Sequence, residues 1–390
     1  MPIINHVAEM AEEITGWRRD LHENPELLYD VHRTAQVVAD KLMSFGCDEV
    51  VPGIGRTGVV GIIRGRSHKS GRVIGLRADM DALPIEEITG LPYASKVKGK
   101  MHACGHDGHT AMLLGAAKYL ADTRNFDGTA VIIFQPAEEG GAGGKAMVDD
   151  GMMERWGVQE VYGMHNAPGV PVGQFATRTG ALLAAADFFS IEIEGKGSHA
   201  AEPHKGCDTL VAGANVLLAL QSIVARNLDP LKSGVVTVGA FNGGHASNVI
   251  PQTAKMLGTV RTLVPEVRDL LEKRVTEVAT GIAAAYGAVA KVDYQRNYPV
   301  TVNHPRETEF AIDVAAEIAG RDRVEANVTP IMGGEDFSFM LEARPGNMIW
   351  IGNGDTAACH HPAYDFNDAA IPHGVSYWVR VVEKGMPANN

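Results

Sequence analysis

The chain has 390 residues, 45% apolar and 21% charged, which is ordinary for a soluble globular protein and more than one compact core usually spans. A formal net charge of −12 with no basic stripe excludes nucleic acid as an expected partner. No apolar run of about 18 residues is evident, so no membrane span is expected. Met1 to Trp17 lacks the basic and apolar regions of a signal peptide, and the four cysteines then suit a reducing, cytoplasmic compartment.

In chain order, Ile3 to Phe45 has helical spacing interrupted at Pro25. Thr57–Arg64 and Arg72–Arg77 are β-branched and apolar runs that predict strands. A helix is expected over Thr110–Ala121, with Met112, Leu113, Ala116, Ala117 and Leu120 on one face. Strands follow at Thr129–Phe134 and Glu160–Gly163. This alternation predicts an α/β fold with a mostly parallel sheet. From residue 187 the rhythm changes to strand Phe188–Glu194, helix Asp208–Asn227, strands Gly234–Phe241 and Ala254–Leu263, helix Pro265–Tyr286 and strand Ala288–Arg296. That β-α-β-β-α-β order is the split ferredoxin-like pattern. Residues 187–299 are therefore expected to form an inserted α+β domain. Residues 1–186 and 300–390 would form the catalytic domain, completed by a helix over Pro305–Ile318, a strand over Met348–Ile351 and a helix over Gly374–Glu383.

Ligands of open α/β sheets gather beyond the carboxyl ends of the strands. There the sequence places Asp79 and Asp81, then Glu138 and Glu139, then His165. The loop Met101–His109 would lie at the same edge, with three histidines and Cys104 within eight residues. Gly105 lets that loop turn so that Cys104 and His106 face one ion. Thiolate, imidazole and carboxylate are competent ligands for zinc and related divalent metals, whereas the absence of a Cys-x-x-Cys speaks against a thioredoxin-type redox site. Of two adjacent carboxylates, one can bind metal while the other serves as general base. Asp79 or Asp81 could orient a ligand. Cys359-His360-His361-Pro362 could close the site, and His199 sits in a glycine-flanked loop of the inserted domain.

The segments Arg77–Pro84, Met101–His109, Gln135–Gly140, Gly163–His165 and Gly333–Phe337, in this order, resemble the peptidase M20 family. They resemble in particular its amidohydrolase branch of hippurate hydrolases, N-acyl-amino-acid amidohydrolases and auxin-conjugate hydrolases, over nearly the whole chain. The resemblance implies two divalent ions per subunit (zinc, manganese, nickel or cobalt) on Cys104, His106, Glu139, His165 and His360, with His361 as a second candidate for the last position. It implies Glu138 as general base, a supporting role for Asp79 or Asp81, and an inserted domain that acts as lid and dimerises. His199 would reach the substrate carboxylate or the scissile carbonyl, and Asn248 and Arg261 would bind substrate.

The expected reaction is hydrolysis of the amide bond of an N-acylated amino acid, a small molecule, by a homodimer or dimer-based oligomer. An aminopeptidase or dipeptidase of the same family is the alternative enzyme. A non-catalytic metal-binding protein would not need Glu138 beside Glu139.

Overall fold

The computed structural model describes residues 3–388. It divides into two compact units: residues 1–182, 302–329 and 336–390, and residues 183–301 with 330–335. The short segment Pro330–Glu335 thus clusters with the second unit, whereas the sequence reading leaves it in the catalytic domain.

The first unit is built on an eight-stranded sheet. Six of its strands are β1 (Glu49–Ile54), β2 (Gly58–Arg64), β3 (Val73–Asp79), β4 (Thr129–Gln135) and β5 (Glu160–Pro168), together with Gly346–Gly354. β3 runs parallel to β4 and β5, and β5 runs parallel to Gly346–Gly354. β1 and β2 add on antiparallel at one edge. Strand β4 is buried from Ala130 onward, as a strand covered on both faces must be, and so reads as a continuous apolar run. Helix His106–Thr123 packs between the sheet and neighbouring helices, with Met112, Leu113, Leu114, Ala116, Ala117 and Leu120 all fully buried. Each such Leu or Met stabilises the fold by about 1.5–3 kcal/mol.

Several boundaries differ from the sequence reading. The N-terminal region forms three helices, Asn5–Glu9, Ala11–Glu23 and His32–Ser44. Strand β1 was not expected, because Pro52 and Gly53 are poor strand formers; it lies on the sheet edge with a register shift at Pro52, where proline is tolerated. The helix expected from Thr110 starts four residues earlier, at His106. Gly105, at φ +87°, caps it and turns the incoming chain. His106 and His109 therefore lie on one helical turn rather than in a loop. Strand β5 continues to Pro168, so His165 is a strand residue.

In the second unit, strands Ala185–Glu194, Gly234–Gly243, Thr253–Thr262 and Val289–Tyr298 form an antiparallel sheet. Strand Ala185–Glu194 is central beside Thr253–Thr262 and Val289–Tyr298, with Gly234–Gly243 at the edge. Helices Thr209–Arg226 and Pro265–Ala285 share one core with this sheet, through Val216, Leu220, Ile223, Leu271 and Val275 against Ile191, Ile193 and Met256. Asp208 caps the first of these helices by accepting from the N–H groups of Leu210 and Val211. By length and composition alone this helix is apolar enough to cross a membrane, although Asn215, Gln221 and Ser222 interrupt its apolar run. Its buried face packs on the sheet, and Leu210, Val211 and Leu218 are exposed.

Candidate metal centre

Four carboxyl-end segments of the first unit converge. β3 ends at Asp79 and leads to Asp81. β4 leads through Ala137 to Glu138 and Glu139. β5 carries His165, and the segment after Gly346–Gly354 carries His360. The turn before helix His106–Thr123 supplies Cys104. Gly105 is required there twice over: its φ is positive, and a Cβ would lie 2.3 Å from Asn166 Nδ2 and 2.4 Å from Tyr364 Oη. Ala137 and His360 adopt positive φ without being glycine, at +56° and +66°. Such strained conformations persist where surrounding structure enforces them, and both flank or form the site.

Besides a set of Asp79, His106 and His109, three of the sets of ligand atoms that lie within 4.8 Å of one another are Cys104, His106 and His165; Cys104, Glu139 and His360; and His106, Glu138 and Glu139. Together they contain all five residues expected to bind metal and the expected base. Cys104 Sγ lies 3.4 Å from His165 Nε2. His360 Nε2 lies 3.2 Å from Glu139 Oε1, and His106 Nε2 lies 3.9 Å from the same oxygen. His361 instead accepts from Ala363 N through Nδ1 and joins none of the sets found among the described residues, so His360 is the histidine brought into the cluster.

The surrounding hydrogen bonds decide which atoms remain for a ligand. His165 Nδ1 donates to the Asn166 carbonyl at 2.7 Å, which leaves Nε2 with its lone pair toward Cys104. His106 is fully buried, and neither ring nitrogen has a well-aligned hydrogen bond. Its Nδ1 lies 3.5 Å from Asp81 Oδ1, and its Nε2 faces Glu139. By contrast, His109 is fully engaged: Nδ1 donates to Asp79 Oδ1 at 2.7 Å and Nε2 accepts from Asn166 N at 2.9 Å. It is a support and has no lone pair left for a metal. His102 is buried and belongs to none of the ligand sets found among the described residues.

Asp79 and Asp81 divide the supporting work. Asp79 accepts from His109 and, through Oδ2, from Arg77 at 2.8 Å. Asp81 accepts from the backbone N–H groups of Glu138 at 3.0 Å and Glu139 at 3.1 Å. Asp81 thereby fixes both glutamates and faces His106. Below them, Arg77 donates to Gln135 and to Asp336, and Gln135 and Gly144 N also bind Asp336. This buried network holds the floor of the site.

The electrostatics suit a cation. Burial alone would lower the pKa of His106, yet Asp79, Asp81 and Glu139 overcome it and raise it to about 10. The field that holds a proton there would hold a metal ion. Burial raises Asp81, with Glu139 adding to the effect. Against burial, His360 and His106 keep Glu139 below the usual carboxylate range. Burial lowers His102 to about 3 and His109 to about 4, so both stay neutral. The two unpartnered nitrogens of His106, the Nε2 atom of His165 and the mixed thiol, imidazole and carboxylate donor set fit a divalent metal.

Reading the sequence alone missed Arg77, Gln135, Asn166, Tyr364 and Asp336 as supports. Asn166 donates to the Cys104 carbonyl, and Tyr364 donates to Asn166. Asn166 adjoins His165, and Asp336 lies in the Gly333–Phe337 segment, so proximity to motif residues was the available signal. Cys359 has no assigned role in the sequence reading; the Cys104 thiol draws its pKa down to about 6 and is itself pushed up by Cys359.

The expected substrate residues lie in the second unit. His199 is exposed on the short strand Ser198–His199, paired with Val249. Asn248 is exposed, and its carbonyl accepts from Ala200 N. Arg261 is half-buried, donates to Thr259 and stacks over Phe188 at 5.6 Å.

An α/β sheet whose carboxyl ends gather a thiol, imidazoles and paired glutamates is the constellation of a metallohydrolase. The profile described as "Peptidase family M20/M25/M40" matches residues 75–384, and the chain belongs to that family. It is 44% identical to the hippurate hydrolase of Campylobacter jejuni over 98% of this chain and 99% of that protein. It is 42% identical to the N-acetyl-L-cysteine deacetylase of Bacillus subtilis, over 94% and 86% respectively. Among solved structures, it superposes on the Bacillus subtilis YXEP protein, described as a dinuclear metal binding peptidase from the M20 family. The TM-score is 0.84 and the identity 36%, over 97% of this chain and 99% of that one.

Proposed function

We propose that this protein is a metal-dependent amidohydrolase that cleaves the amide bond of N-acylated amino acids, releasing a carboxylic acid and a free amino acid. The observation that carries this reading is Glu138 beside the ligand cluster. It is a buried carboxylate in addition to Glu139, and a purely structural site has no use for one. The relatives that act on hippurate and on N-acetyl-L-cysteine support the substrate class.

Cys104, His106, Glu139, His165 and His360 would hold two divalent ions, drawn from zinc, manganese, nickel or cobalt. When bound, the ions supply a water acidified toward neutrality and a polarised amide carbonyl. Glu138 takes the proton from the attacking water and returns it to the leaving amine nitrogen. Asp81, through the two backbone N–H groups it accepts from, keeps Glu138 and Glu139 in place. Asp79 and Arg77 hold His109, which supports Asn166 and so the Cys104 turn. His199, Asn248 and Arg261 contact the substrate. His199 hydrogen-bonds its carboxylate or the developing oxyanion. The functional form is a cytoplasmic homodimer assembled through the second unit.

Metal-reconstituted protein should be assayed on N-acetyl, N-benzoyl and N-succinyl amino acids beside free dipeptides. Turnover of the acylated amino acids well above that of dipeptides is expected. The reverse preference would replace this reading with an aminopeptidase or dipeptidase of the same family.

A further inference from the structure

We propose that Cys104 and Cys359 form a reversible disulfide that removes the thiolate from the metal centre, making Cys359 the site of an oxidative modification. The coupling to metal rests on the reading of Cys104 as a ligand. Two independent features place the thiols together. The ligand atoms of Cys104 and of His360, the residue next to Cys359, lie within 4.8 Å of each other. The backbone around them also pairs, since His360 N donates to the Ala103 carbonyl at 2.7 Å, so residues 359–360 run beside residues 103–104. A third observation separates this role from that of an extra ligand. Among the described residues Cys104 belongs to two of the metal-capable clusters, whereas Cys359 belongs to none. Cys359 therefore lies beside the segment that carries the ligand thiol without joining the ligands around it. Cys359 is also partly exposed while Cys104 is buried, so an oxidant meets Cys359 first.

Hydrogen peroxide is the oxidant class considered. The Cys359 sulfur attacks one peroxide oxygen; the O–O bond breaks, sulfur is oxidised to a sulfenic acid, and the departing hydroxide takes the thiol proton as water. The Cys104 sulfur then attacks the Cys359 sulfur. An S–S bond forms, the S–O bond breaks, and the departing hydroxide becomes a second water by taking a proton, from the Cys104 thiol in metal-free protein or from solvent where Cys104 is a metal-bound thiolate. Two thiols and one peroxide thus give one disulfide and two waters. The centre then loses its only sulfur donor, and a dithiol reductant restores it.

The test treats the reduced, metal-loaded enzyme with hydrogen peroxide, blocks remaining thiols, and combines non-reducing peptide mapping with metal analysis after desalting. The expected result is a Cys104–Cys359 linked peptide pair, loss of most bound metal, and recovery of both thiols with dithiothreitol. Cys359→Ser should give no linked pair and keep its metal at the same dose. Absence of the linked pair, or equal metal loss from Cys359→Ser, would overturn the proposal. Reduced Cys104→Ser separates the two readings. If it keeps a full metal load, Cys104 is no ligand. If it loses metal while the oxidised wild type keeps its own, the ligand reading stands and the switch does not.

Discussion

In the first unit Asp79, Asp81, His106 and His109 are buried, and the oxygens of Asp79 and Asp81 each have a donor or imidazole facing them. In the second unit His199 is exposed on a two-residue strand, and its Nδ1 is met by the backbone N–H of Ala201. The contrast separates two ways of building function. A metal centre must be pre-organised, because desolvated charges are tolerable only when every partner is fixed. A substrate contact can stay solvated until the substrate arrives, so its local surroundings reveal little of its role.

Predictions follow from this contrast in order of size. Glu138→Gln should lower kcat by about 10³-fold or more while metal content is unchanged, since it removes proton transfer and leaves the ligands. Metal loss from that variant would make Glu138 a ligand instead. Arg77→Met should cost about 3–5 kcal/mol of stability by urea unfolding, because it removes the buried cation that pairs with Asp79 and Asp336. His199→Ala should lower kcat/KM by about 10–100-fold, the worth of a hydrogen bond to a charged group, with stability and metal load unaltered. If the unfolding midpoint moved instead, the distinction between the two units would blur.

The smallest effect concerns pH. His22 is buried, which disfavours its charge, but Asp107 at 2.8 Å and Glu87 more than offset this and raise its pKa to about 9 from an ordinary 6.5. Protonated His22 therefore stabilises the fold fully below about pH 6.5, and that contribution is lost as pH rises through about 9. Wild type should lose about 1–3 kcal/mol more than His22→Gln between pH 6.5 and 10. Parallel curves for the two proteins would remove His22 from the account.

Much of this site was legible because metal chemistry restricts residue types. Cys104, His106, Glu138, Glu139 and His165 could be read from strand ends and spacing, since parallel strands deliver their carboxyl ends to one edge. The choice of His360 over His361, and the division between Asp79 and Asp81, depended on which way side chains turn. His360 owes its position to a positive φ that composition does not announce. The supports Arg77, Gln135 and Asp336 come from separate segments and meet only on folding, so no local pattern marks them. The four main strands and two helices of the second unit were readable in order because strand Ala185–Glu194 alternates and the helices carry apolar faces. Strand β1 was hidden by Pro52 and Gly53, and the helix start at His106 by a cap that depends on the left-handed Gly105.

The central claim is that the cluster around His106 is a metal-dependent catalytic centre. Metal-free protein should be titrated with zinc, manganese, cobalt or nickel while hydrolysis of N-benzoylglycine is followed. The account predicts negligible turnover without metal and a rise that levels off near two equivalents per chain. Full turnover by the metal-free protein would contradict it.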